Sequence, residues 1–181
     1  MLTLPPPVFF EREERAQVIP FRVQPQEMFN WCWAAVTASV VAYLSPQNAS
    51  IYMQCAIASA ELDEQCCRTP RPASCDQTNG LDGPLSRVSH LRVPIIEGYL
   101  GAAAIATELQ ADLPLPLRIE WSNGSGHFLC IYGIRNIDGG IQLAVSDPIY
   151  EESTIMSDAL IGGGYQSAGG RWTHTYVVTR Q

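Results

Sequence analysis

Hydrophobic positions along the chain fall into two regimes. Between Trp31 and Leu44 apolar residues are nearly continuous, with Thr37, Ser39 and Tyr43 alone carrying hydroxyls. That run is shorter than the roughly 20 residues a bilayer span needs, and it fits a helix buried in a globular core. Pro46 ends it, because its ring cannot continue the hydrogen-bond ladder. Ser50 is placed to cap a second helix over 51–62, a short third covers 85–91, and a fourth covers 102–113 before Pro114. From Leu115 onward the period shortens. Residues 117–121 alternate, 123–126 form a turn, and 127–134 read as a strongly apolar strand. A turn rich in Asn, Asp and Gly over 135–140 leads to a strand over 141–146, which Asp147-Pro148 closes. A last strand covers 172–179. Helices first and antiparallel strands second predict an α+β fold with a seam between the halves.

Ahead of these elements, Pro5-Pro6-Pro7 and the charged run 11–15 predict an extended arm over 1–20. No cationic start followed by an apolar stretch marks a secretory signal. A short edge strand over 18–21 then leads into Gln24-Pro25-Gln26. Residues 21–181 read as one domain, with a helical part over 21–113 and a β part over 114–181. The glycines of 162–170 lack the strand-then-helix context of a phosphate loop and read as flexible connection. His90, with no partner motif beside it, reads as a surface residue.

The net charge of −7 argues against nucleic acid and anionic membranes as partners, since both demand clustered positive charge. All eleven basic residues are Arg, which removes Schiff-base and Ser-Lys chemistry. Cys55, Cys66, Cys67 and Cys75 lack the Cys-x-x-Cys pairs of a zinc site, so no metal or cofactor is expected. Disulfides stapling an irregular lobe fit better. They allow three pairings, of which one joining the adjacent Cys66 and Cys67 is geometrically disfavoured. Two such staples imply an oxidising destination, hence a protein secreted or delivered to a target cell. Cys130, inside the apolar strand, reads as a core residue.

Cys32 differs from the other cysteines. It opens the buried helix, where unpaired backbone N–H groups and the dipole favour an anionic nucleophile. Gln26 lies six residues upstream, in a non-helical segment able to fold back over it. If the strands flanking 135–140 pair symmetrically about Ile137, His127 and Asp147 stand directly opposite on one face. The carboxylate then accepts the Nδ1–H of the ring and leaves Nε2 outward as a base. Asn136 and Asp138 are rivals for the orienting role but sit in the turn. His174 is the rival base and has no carboxylate placed opposite it.

Gln-x5-Cys-Trp, a later Gly-His step and Asp147 on the next strand resemble the pattern of papain-like (clan CA) cysteine proteases. The Trp-Cys-Trp-Ala-Ala form, the Cys-Cys pair and the short chain resemble compact bacterial members, the type III effector proteases of plant pathogens. Peptidase domains that trim bacteriocin leaders are more distant relatives. The resemblance implies a papain-like fold, with the central helix packed on a C-terminal antiparallel sheet or barrel and a cleft between the parts. It implies Cys32 as nucleophile, His127 as base and then acid, and Asp147 as orienter where papain has Asn. The Gln26 amide and the Cys32 N–H would form the oxyanion hole. It also implies a protein or peptide substrate, an inhibitor or immunity protein as a further partner, and a monomer. An acyl transferase or deamidase shares the triad, and an inactive binding module shares the fold. Gln26 favours the protease, and four filled positions argue against the inactive module.

Overall fold

A computed structural model describes residues 16–180. The apolar run becomes helix α1, Cys32–Leu44, whose residues from Trp33 to Val41 are buried on every side. A helix apolar all round must sit in the core, and this one packs on α2, Gln54–Leu62, and on the central strand of a sheet. α2 begins three residues later than Ser50 predicts. Pro46–Asn48 first makes a 3₁₀ turn, and Met53, with no side-chain cap, precedes the helix.

The third helix, α3, is Asp82–Arg87, displaced toward the N-terminus of the predicted 85–91. His90 therefore falls beyond it and is buried, a correction to its reading as a surface residue. Its ring bridges Ser45 Oγ, at 3.1 Å, and the carbonyl of Thr179, at 2.8 Å, tying the end of α1 to the C-terminal segment. α4, Ala102–Gln110, stops before Pro114.

The sheet is antiparallel and open, in the order β2-β7-β3-β4-β5-β6. Its members are β1 (Gln17–Val18), β2 (Ile96–Glu97), β3 (Leu115–Glu120), β4 (Gly126–Ile137), β5 (Gly140–Asp147), β6 (Glu151–Met156) and β7 (Arg171–Thr175). β1 pairs with Gly133 and Ile134 of β4, in the lane β3 leaves beyond Ile131. The end of the predicted arm is thus part of the sheet, while Pro5-Pro6-Pro7 lies outside the described residues. One strand of the sheet, β2, comes from the part that the pattern assigned to helices, and β1 overlaps the edge strand expected over 18–21 at Val18 alone.

Three features escaped the hydrophobic pattern: β2, β6 and the short helix α5, Ser157–Gly162. The glycine-rich stretch after α5 is not a flexible connection. Tyr165 and Gly170 exchange backbone hydrogen bonds at 2.8 and 3.1 Å, closing the loop on itself. A Cβ at Gly170 would lie 2.7 Å from the Ile119 side chain and 2.9 Å from Trp121, so this loop seats on β3 only because that residue has none.

Cys55–Cys67 and Cys66–Cys75 are the disulfides, which leaves Cys32 and Cys130 free. Cys130 is buried in β4, and burial raises its thiol pKa well above the usual value. The stapled lobe is docked onto the start of α1. Asn30 donates its backbone N–H and side-chain amide to Asp76, at 2.7 and 3.0 Å. The Trp31 indole donates to Cys75 O at 2.6 Å, and the Trp33 indole to Gln77 O at 3.0 Å.

Candidate active site

Cys32 is the first helical residue of α1 and is partly exposed. Its place follows from its neighbours: Trp31 and Trp33, both fully buried, clamp the helix start against the stapled lobe. The first N–H groups of a helix have no intrahelical acceptor, so the backbone here presents donors.

His127 is the second residue of β4 and Asp147 the last of β5. The two side chains meet, by a route other than the symmetric hairpin. The turn is centred on Asp138-Gly139, with Gly139 at φ +99°, so Ile137 faces Gly140. Carried on unbroken, that register would set Asp147 opposite Cys130, on the wrong face for His127. The register shifts between Ile131 and Gly133, a β-bulge, so that Cys130 faces Ser146. Asp147 then falls opposite Leu129, diagonal to His127 and on its face.

The diagonal reverses the expected use of the ring. Nε2, the farther nitrogen, contacts both carboxylate oxygens of Asp147 at 2.9 Å. Cys32 also acts on the ring, and with Nε2 taken up by Asp147 it is Nδ1 that is left for the sulfur. Burial alone favours a neutral ring. The hydrogen bonds and charges of Asp147 and Cys32 outweigh it, and the pKa of His127 is pushed up to about 9. Burial likewise opposes ionisation of Asp147, but its bonds to His127 and to the N–H groups of Ile149, at 2.7 Å, and Tyr150, at 3.0 Å, hold its pKa below the usual carboxylate range.

Two further residues belong to this group. The Tyr165 hydroxyl donates to Asp147 Oδ2 at 2.8 Å, and the residue is buried. Trp121 stacks on the His127 ring at 5.8 Å and 23°, and on Tyr165 at 6.1 Å and 24°. Together they shut water away from the imidazole–carboxylate pair. Neither carried a signal in the sequence, since Tyr165 sits among glycines and Trp121 ends an ordinary alternating strand.

Gln26 is placed differently. Its Nε2 donates to the carbonyls of Met28, at 2.9 Å, and Phe29, while Oε1 is buried without a partner among the described residues. The side chain is not among the residues that line the cleft holding Cys32 and His127. Its segment is nevertheless pinned near them. Gln26 N donates to Pro148 O at 3.1 Å, and the buried Gln54 accepts from Glu27 N and donates to Pro25 O, both at 2.9 Å. His174 also reaches the cleft but bonds Thr173 through Nδ1, with no carboxylate of the described residues on its ring.

The cleft encloses about 1000 Å³ between the α1 start, the end of the stapled lobe and the sheet. An α+β core with a cysteine opening its central helix against a strand-borne histidine defines a papain-like cysteine protease. The sequence profile of the papain-like cysteine protease AvrRpt2 matches residues 13–159, and the chain belongs to that family. It is therefore a cysteine peptidase, a hydrolase acting on protein substrates. A comparison with curated proteins gives no match.

Proposed function

We propose that the chain is an endopeptidase in which Cys32 is the nucleophile, His127 the proton carrier and Asp147 its orienter. The observation that carries this reading is the His127–Asp147 pair, with His127 and Cys32 lining one cleft of about 1000 Å³. With a pKa near 9 the imidazole is protonated at neutral pH and stabilises a thiolate beside it. The sulfur attacks the scissile carbonyl carbon, forming a C–S bond and a tetrahedral oxyanion. As the C–N bond breaks, Nδ1–H of His127 protonates the departing amine. The neutral ring then takes a proton from water, whose oxygen attacks the acyl group. The C–S bond breaks, the acid leaves, and the thiolate–imidazolium pair is restored.

The oxyanion faces the backbone N–H of Cys32. In our reading the Gln26 amide supplies a second donor after turning from the Met28 and Phe29 carbonyls. The orphaned Oε1 supports this, because a buried acceptor without a partner weakens the resting arrangement. Delivery into another cell, as for type III effectors, is the role that the family match supports.

The test is a thiol-reactive active-site probe combined with a peptide library. Labelling and cleavage that both vanish in Cys32→Ala are the expected result. Labelling without cleavage, but with transfer of an acyl group to an added amine, would replace hydrolysis by acyl transfer. No labelling at all would leave a binding module.

A further inference from the structure

One wall of the cleft has a charge pattern that the peptidase chemistry does not use. Although the chain carries a net charge of −7, no Asp or Glu among the described residues lines the cleft. Arg118 does. It lies at the centre of a row across three strands, directly opposite Phe128 on β4 and His174 on β7. Directly opposed residues share a face, and all three border the cleft. The guanidinium folds over Gly126, where an added Cβ would lie 2.7 Å from both Nε and Nη2. The glycine of the Gly-His step thus makes room for a cation at the residue before the reacting histidine.

Arg118 has an incomplete set of partners. Nη1 donates to Thr173 Oγ1 at 3.0 Å. Among the described residues its one carboxylate neighbour in ion-pair range, Glu120, is 3.7 Å away and is shared with Arg171 at 3.6 Å. These separations exceed hydrogen-bond distance, and the Glu120 side chain is 39% exposed, so solvent screens the pair. Asp82 acts on the Tyr176 phenol from outside the cleft lining. Phe128 and Tyr176, edge to face at 5.9 Å, form apolar walls beside the guanidinium.

We propose that this wall is a specificity subsite that takes a glutamate or aspartate side chain of the substrate, with Arg118 gripping the carboxylate and Phe128 and Tyr176 flanking its stem. The inference rests on the peptidase reading and narrows its substrate to acidic peptides. Arg presents a planar fork of donors that matches a carboxylate, and such charge-assisted bonds discriminate strongly against a neutral isostere.

The experiment compares matched peptides carrying Glu, Gln or Lys at each of the three positions on either side of the scissile bond, with free and amidated C-termini. At one position the wild-type chain should cleave the Glu peptide roughly tenfold to a hundredfold better than the Gln peptide by kcat/KM. Added salt should shrink that ratio. Arg118→Gln should bring it to about one. Gly126→Ala, which evicts the guanidinium without removing its charge, should lower it as well. A wild-type ratio near one at every position overturns the proposal, as does a ratio that survives Arg118→Gln. Discrimination that depends only on a free C-terminus would assign the subsite to a main-chain carboxylate and also overturns it. Cleavage without preference defeats this inference alone. No cleavage together with no Cys32-dependent labelling defeats the peptidase reading and this one with it.

Discussion

Tyr165 donates its hydroxyl to Oδ2 of Asp147 at 2.8 Å, from a loop eighteen residues further along the chain. The carboxylate that holds His127 is therefore itself held, by two backbone N–H groups on one oxygen and a phenol on the other. Removing the phenol oxygen takes a donor from an ionised, buried acceptor, and such bonds are worth about 1.5–3 kcal/mol. Tyr165→Phe should lower kcat on the order of tenfold and leave KM nearly unchanged. Because the ionised form loses a donor, the pKa of Asp147 should rise and the acid limb of the pH–rate profile should move to higher pH. Thermal unfolding and the pH profile measured together separate this from simple loosening, which would leave the limb in place.

The pKa of His127 fixes a second expectation. Raised to about 9 from an ordinary value near 6.5, the protonated ring is stabilised in the folded chain. The folded state binds more protons than the unfolded state between those values. The stabilisation is therefore complete below about pH 6.5 and is lost as pH rises through about 9. Activity that needs the imidazolium as acid should fall over the same upper limb. Asp147→Asn removes the carboxylate charge, so the limb should drop toward the ordinary histidine range. Rate and denaturation midpoints followed from pH 6 to 10 check both, and a limb unmoved by Asp147→Asn would refute the assignment.

How far the sequence could reach is clear from this pair. The buried helix, its opening cysteine and the strand carrying His127 were legible because long apolar runs and a proline stop are local signals. The meeting of His127 with Asp147 was also foreseen, but by a symmetric hairpin that does not form. A bulge has no reliable signature in an apolar strand, and here it restores the face that the turn position would have reversed. The choice of ring nitrogen depends on that diagonal and was accordingly inverted. Tyr165, Trp121 and Gln54 were invisible for a related reason. Each acts through contacts made by distant segments, and nothing in its own stretch of chain announces them.

The stapled lobe should matter to the site as well as to stability. Cys66–Cys75 closes a loop of sequence separation 9, and a crosslink of that span stabilises by about 2–3 kcal/mol in the chain-entropy account. The residues just after it, Cys75 to Gln77, accept the bonds of Asn30, Trp31 and Trp33 that fix the start of α1. Replacing both cysteines, Cys66→Ser with Cys75→Ser, should therefore slow Cys32 labelling at temperatures where the sheet is still folded. Labelling rates compared with circular dichroism across a thermal ramp test this. Coincident loss of both would show that the lobe stabilises the whole domain without a separate hold on the site.

The role of Gln26 can be decided by asking which of two losses its removal causes. As placed, its amide hydrogens satisfy the carbonyls of Met28 and Phe29, which makes it a pin for the loop entering α1. Truncating a pin should cost stability, on the order of 1 kcal/mol for the bonds lost, and change kcat little. An amide that turns into the cleft behaves otherwise. It bonds the oxyanion only as charge develops there, so its loss should lower kcat by about 10²–10³ with a small change in KM and in stability. Our proposal takes the second course. Gln26→Ala should show a fall of that size in kcat, whereas Gln26→Glu, which offers a negative charge where a donor is needed, should be no better. If kcat instead survives within a few-fold while the melting temperature drops, the second oxyanion donor must be sought elsewhere in the cleft. The side-chain amide of Asn79, which lines it, is the next group to truncate.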